Sequence, residues 1–178
     1  MARIVFLIAP ERFRDEELFD TKRELDHAGH QTVVASTRKG YCPGSRGGKA
    51  RATLLLSDVN PDDYDAAVFV GGGGSKVYFE DKLAQRLAKA MHESGKVVAA
   101  ICLAPVILAN AGVLKGKDAT VAGTEARTIE GKGARYIGPG VVVAGNVVTA
   151  NAPKASKLFG QKINEVLASR ESITKLQA

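Results

Sequence analysis

The sequence predicts an α/β fold with a mostly parallel sheet covered on both faces by helices. Three observations carry this expectation. Arg3 to Ile8, Ala66 to Val70 and Val97 to Ile101 are short runs that are apolar apart from the opening Arg3, as strands without a solvent face are. Helix-length amphipathic segments separate such runs, and a helical crossover between strands makes them parallel. A chain of 178 residues with 45% hydrophobic content fills one core comfortably but not two, so a single domain over residues 1–178 is expected.

The first strand is followed by a polar loop and a helix from about Asp15 to Ala28, stopped by Gly29. Gln31 to Ser36 reads as the second strand. Gly40 to Lys49 reads as a turn-rich loop, Ala52 to Leu56 as a short strand, and Asn60-Pro-Asp-Asp-Tyr as a turn before the strand at 66–70. Four glycines, 71–74, come next. Phe79 to Ser94 is an amphipathic helix with Leu83, Leu87 and Met91 on its apolar face, ended by Gly95. After the strand at 97–101, Ala104 to Gly112 reads as a short helix with Pro105 in its first turn, where proline's missing N–H is not needed. Ala119 to Ala122 is a further short strand, and Val141–Ala144 with Val147–Ala150 form a hairpin through Gly145-Asn146. Pro153 to Ser169 is helical, with Leu158, Ile163 and Leu167 on the buried stripe, and the tail past Arg170 is expected to fray.

Composition limits the functional classes. The opening residues are already a strand and lack a signal-peptide pattern, and no stretch is long and apolar enough to span a bilayer. A soluble cytoplasmic protein without a membrane partner is expected. Two cysteines with no CxxC pair favour neither a disulfide framework nor a zinc site, and no metal ligand set is visible. The net charge of +6 is spread along the chain. Its one cluster, Arg38-Lys39, Arg46, Lys49 and Arg51, lies in a glycine-rich loop without stacking aromatics, so it reads as solvated charge and not a nucleic-acid face. Anionic small molecules remain compatible with it.

In an open α/β sheet, reactive groups gather at the carboxyl ends of the strands, where loops and helix N-termini converge. Three segments reach that edge: the loop at 9–17, the glycine run after Val70, and Cys102. Cys102 ends an apolar strand just before a helix, where unsatisfied N–H groups favour a thiolate. The alternative is a small buried hydrophobe at a strand end. Gly71, Gly72 and Leu103 are candidate backbone N–H donors to an oxyanion formed when the sulfur attacks a carbonyl. A flexible turn also explains a glycine run, and no Gly-Lys-Ser/Thr follows to make a phosphate loop.

Ala100-Ile101-Cys102 with Pro105, Gly71-Gly72 at a strand end and Asp15-Glu16-Glu17 at the first helix resemble the ThiJ/PfpI superfamily over nearly the whole chain. Asn60-Pro-Asp-Asp-Tyr-Asp and Asn110-Ala-Gly-Val-Leu-Lys-Gly resemble its protease branch in particular. The resemblance implies a flavodoxin-like three-layer α/β/α sandwich with the cysteine on a nucleophile elbow. It also implies a first-helix glutamate hydrogen-bonded to the cysteine sulfur. Glu17 is the matching position, with Glu16 and Asp15 as alternatives and helix-dipole complementation as the competing role. Homodimers or larger homo-oligomers are implied as well, with the site near an interface where a partner chain can supply a histidine.

The departures narrow the chemistry. The protease branch has histidine after the cysteine, where this chain has Leu103, and the deglycase branch has a nearby histidine that Ala119-Thr-Val-Ala-Gly123 lacks. His27, His30 and His92 fall at helix ends or outer faces. Without histidine, peptide hydrolysis lacks a general acid for the leaving amine. A Cys102–Glu17 pair suffices for cofactor-independent glyoxalase or deglycase chemistry on a small reactive carbonyl. A PfpI-like peptidase and a cysteine redox sensor are the alternatives. Cys42, in Gly40-Tyr-Cys-Pro-Gly, is either part of a turn or a resolving thiol.

Overall fold

In the computed structural model, which describes residues 1–177, β1 (Arg3–Leu7), α1 (Asp15–His27) and β2 (Gln31–Ser36) form the opening β-α-β unit. A hairpin of β3 (Gly40–Pro43) and β4 (Lys49–Ala52) follows, then β5 (Leu54–Leu55), β6 (Ala66–Phe69) and α2 (Lys82–Glu93). The remaining elements are β7 (Val97–Ile101), α3 (Pro105–Asn110), β8 (Asp118–Ala119), α4 (Ala126–Gly131), β9 (Arg135–Tyr136), β10 (Val141–Ala144), β11 (Val147–Ala150) and α5 (Ser156–Gln177).

Seven strands make the central sheet in the order β10-β11-β7-β6-β1-β2-β5. Every pairing in it is parallel except β10 with β11. The apolar strands bury both faces because alternate side chains point to opposite sides. From β1, Val5 and Leu7 join Leu87, Met91 and Ile107 under α2 and α3. Ile4 and Phe6 join Leu18, Leu25, Phe159 and Ile163 under α1 and α5. This is the expected α/β/α sandwich. No helix among the described residues is long and apolar enough to cross a membrane.

Several local expectations are corrected. The stretch read as a loop, 40–49, is mostly hairpin, and the strand expected at 52–56 divides between the end of β4 and β5. Helix α2 starts at Lys82, where Asp81 Oδ1 accepts the Ala84 N–H at 2.9 Å, and a 3-10 helix occupies Gly73–Tyr78. Its buried face is Ala84, Leu87, Ala88 and Met91, and Leu83 is exposed. In α5, Phe159, Ile163, Val166 and Leu167 face the core while Leu158 is exposed. Neighbouring residues on a helix point about 100° apart, so one step in the register moves a leucine off the stripe. The helix continues past Arg170 to Gln177, with its last residues exposed, where fraying was expected. The strand expected at 119–122 is only Asp118–Ala119 and pairs with β9 outside the main sheet. Cys42 is fully buried in β3 against the α1 and α5 side of the core, with its thiol 3.8 Å from Gly40 O, so it is no surface turn residue.

Candidate active site

Strands β7, β6 and β1 lie side by side in mid-sheet, and the segments leaving their carboxyl ends carry Cys102, Gly71-Gly72 and Glu17. The chain passes from β1 to β2 on one side and returns to β6 on the other, so β1 and β6 flank the point where the winding reverses. Ligand crevices open at such points.

Cys102 is half-buried and has φ +64°, a left-handed conformation that costs a side-chain-bearing residue about 1 kcal/mol or more. Neighbours on both sides hold it there. Its N–H donates to Ala150 O at 2.8 Å, and its carbonyl accepts the Ala122 N–H at 2.7 Å. With Pro105 opening α3 three residues on, this is the sharp strand-to-helix turn expected of a nucleophile elbow.

Glu17 is fully buried in the first turn of α1. Its Oε1 accepts the Gly71 N–H at 2.9 Å. Glu17 and Cys102 converge: a Cβ on Gly71 would sit 2.6 Å from Glu17 Oε1 and 3.0 Å from Cys102 Cβ. Oε2 is shut off from solvent and accepts no hydrogen bond from any described residue. The carboxyl as a whole is nonetheless close enough to Cys102 for the thiol to act on its acidity. A protonated carboxyl eases this conflict, because a neutral Oε2–H is far less costly to bury without a partner than a charged oxygen and can donate to the neighbouring sulfur.

The electrostatics agree with that assignment. Burial pushes Glu17 up to about 8, against the opposing pull of Cys102, Gly71 and Arg14. Burial, then the charge and hydrogen bond of Glu17, push the Cys102 thiol up to about 12. The thiolate that the helix N-terminus was expected to favour is therefore opposed, and the helix concerned has only six residues. The N–H groups of Leu103 and Gly72 act the other way and favour the sulfur anion. Two groups this close lose their protons in steps that belong to the pair. While Glu17 keeps its proton, its charge is not there to oppose a thiolate.

Of the three backbone donors anticipated, Gly72 and Leu103 are directed at sulfur, whereas Gly71 is taken up by Glu17. Asp15 and Glu16 lie elsewhere in function. Asp15 accepts the Arg46 and Gly48 N–H groups, and Glu16 pairs with Arg14 Nε at 2.6 Å. The three histidines sit at the opposite edge of the sheet. His27 and His92 close α1 and α2, and His30, in the turn before β2, is bonded to Ala2 N–H and Asn164. Arg14 was not anticipated; nothing local in the sequence marks it. Among the described residues, no three His, Cys, Asp or Glu side chains converge as metal ligands do. A concavity lined by Met1, His30, Asp65 and Arg170 lies at that opposite edge too, away from Cys102.

The profile of the DJ-1/PfpI family matches residues 2–166. The chain belongs to this family. Among its DJ-1/PfpI relatives, an uncharacterized protein of Methanocaldococcus jannaschii is 47% identical over 91% of this chain and 80% of its own length. The protein named deglycase PfpI of Pyrococcus furiosus is 37% identical over 85% of this chain and 90% of its own. The crystal structure of a ThiJ/PfpI domain protein from Brachyspira murdochii superposes with a TM-score of 0.92 at 37% identity, covering 94% of this chain and 96% of that one. A relative named deglycase thus shares the sequence, and a solved ThiJ/PfpI domain shares the α/β/α architecture in which the Cys102 turn is set.

Proposed function

We propose that this DJ-1/PfpI protein is a cofactor-independent, cysteine-dependent enzyme that converts small reactive carbonyls, of the glyoxalase or deglycase type. Glu17, buried against Cys102 with Oε2 free of any hydrogen-bond partner among the described residues, carries the reading. The deglycase names among relatives support the reaction class, and the lack of a histidine at this edge argues against peptide hydrolysis.

With methylglyoxal the steps balance as follows. The sulfur adds to the aldehyde carbon while Glu17 gives its proton to the carbonyl oxygen, leaving a thiohemiacetal and a carboxylate. Gly72 and Leu103 N–H groups lie beside the sulfur to stabilise developing negative charge. The Glu17 carboxylate takes the proton from the former aldehyde carbon and returns it to the neighbouring carbon, while the hydroxyl proton passes from the first oxygen to the second, giving a hydroxyacyl thioester. Water then hydrolyses the thioester, releasing a hydroxy acid and restoring thiolate and acid. The net change is one water added, with one carbon oxidised and its neighbour reduced.

The test is turnover of methylglyoxal and of a peptide by purified protein beside Cys102→Ser and Glu17→Gln. Methylglyoxal is expected to be converted. Cys102→Ser should lose at least about 10³-fold and Glu17→Gln about 10²-fold or more, the range of a positioned proton carrier. Because the reactive form has lost one proton from the pair, kcat/KM should rise with pH and level off above about 8. Wild-type protein inert towards methylglyoxal, or a Glu17→Gln variant as fast as wild type, overturns the proposal. Cytoplasmic location and assembly as a homodimer or larger homo-oligomer belong to the same proposal; a monomer in sedimentation at micromolar concentration refutes the assembly.

A further inference from the structure

Arg14 stands immediately before α1, on the same stretch of chain as Glu17. Its main-chain N–H donates to Gly71 O at 3.0 Å, and a Cβ on Gly72 would come within 2.4 Å of that nitrogen. The residue is therefore fixed against the two glycines that border Cys102. Its guanidinium is held at Nε by Glu16 Oε2 at 2.6 Å, which leaves the two Nη groups without a hydrogen bond to any described residue. The side chain is 27% exposed, open enough to meet a small solute. Its proton is held first by the Glu16 hydrogen bond, against burial, and then by the charges of Glu16, Glu17 and, last, Cys102, so it lies within their field.

A second feature reinforces the first. The segment 38–51 carries Arg38, Lys39, Arg46, Lys49 and Arg51 and no carboxylate. The β3–β4 hairpin it forms is docked on the loop that leads into α1. Asp15 accepts the Arg46 and Gly48 N–H groups at 3.0 and 2.7 Å, Ser45 N–H donates to Phe13 O at 2.8 Å, and Arg38 donates to Pro10 O at 2.7 Å. Glu16 balances the formal charge of Arg14, so the excess positive charge beside the site comes from this hairpin. Clustered charge of one sign draws oppositely charged solutes, and a guanidinium fork binds a carboxylate through two parallel N–H groups.

We propose that the site selects anionic carbonyl compounds, with Arg14 as the residue that binds the substrate's carboxylate while Cys102 attacks its carbonyl. This deepens the reaction proposed above by naming its substrate class. The fitting substrate is an α-oxoaldehyde bearing a carboxylate, such as 4,5-dioxopentanoate. It undergoes the balanced change already written, adding one water to give a 2-hydroxy diacid.

The deciding experiment needs no turnover. Iodoacetate and iodoacetamide present the same electrophilic carbon and release the same iodide, and differ in charge. Their rates at Cys102, followed by mass spectrometry of the labelled peptide, give a ratio to compare with that of glutathione. The wild-type ratio is expected to exceed the glutathione ratio about tenfold at low salt and to fall towards it at about 0.5 M salt. Arg14→Gln should remove most of the excess, and Arg14→Lys, which keeps the charge without the fork, should keep part of it. A wild-type ratio equal to that of glutathione overturns the proposal, and so does an elevated ratio that both variants retain. In a second arm, wild type should favour 4,5-dioxopentanoate over methylglyoxal about tenfold in kcat/KM. Equal values for the two overturn the selectivity. Failure to turn over either sinks the carbonyl reaction, and the alkylation ratio still decides the anion site.

Discussion

Replacing Glu17 with glutamine is expected to make the protein more stable than wild type at pH 9, by a few kcal/mol. The folded carboxyl is raised from 4.5 to about 8 by burial. A raised carboxyl binds its proton more tightly in the folded chain than in the unfolded one, so its favourable contribution is complete below about 4.5 and is lost as pH rises through about 8. Every tenfold difference in proton affinity between the folded and unfolded chain is worth about 1.4 kcal/mol, which sets the scale of the loss. Glutamine keeps the carbonyl that accepts the Gly71 N–H, keeps a donor for sulfur and never ionises. The two proteins should therefore unfold within about 1 kcal/mol of one another at pH 4 and separate steadily to pH 9. Denaturant unfolding at these two pH values measures the difference. A wild type that is equal or superior at pH 9 would show that Glu17 ionises at ordinary pH, and the proton shuttle would go with it.

Gly74→Ala is the second large effect. A Cβ there would lie 1.9 Å from Glu11 O and 2.9 Å from Ala9 Cβ. Glu11 O belongs to the backbone of the β1–α1 loop and cannot swing away. That loop is held to the glycine run itself, since Gly74 N–H donates to Arg12 O at 3.0 Å, and Arg12 has φ +58°. Relief requires moving the loop that leads into Arg14 and Glu17. The expected cost is about 3 kcal/mol or more, the size of a severe overpacking change. Gly73→Ala is the control, because its Cβ would meet nothing within 4 Å and its φ is not in the left-handed region. It should stay within about 0.5 kcal/mol of wild type. Coincident unfolding midpoints for the two alanine variants would mean that the run is a flexible turn. The structure instead describes three glycines demanded by close backbone approach, at 71, 72 and 74, and one in open space.

The legible parts of this protein were those whose cause is local. The apolar runs at 3–8, 66–70 and 97–101 announce buried parallel strands because alternate side chains must enter two different cores. Cys102 was visible because a strand ends and a proline-started helix begins within three residues of it. Glu17 was selected over Glu16 and Asp15 only through the family resemblance. In the fold the three adjacent acids face three different ways: Glu17 inward to Gly71 and Cys102, Asp15 to the hairpin, Glu16 to Arg14. Leu83 and Leu158 were misplaced because hydrophobicity names residues fit for burial, and only the docking of the helix decides which of them meet the core.

Periodicity, glycine stops and proline placement act over a few residues, so the layered α/β architecture and the thiol at a strand end are written into the order of the amino acids. The packing of distant segments is what assigns Gly71 to the carboxylic acid, turns the Gly72 and Leu103 N–H groups to the sulfur, carries the histidines to the far edge and leans a basic hairpin on the start of α1. Those relations join residues tens of positions apart, such as Glu17 with Gly71 and Cys102. Their acidities come from burial and mutual charge, which arise only once the sheet has brought them together.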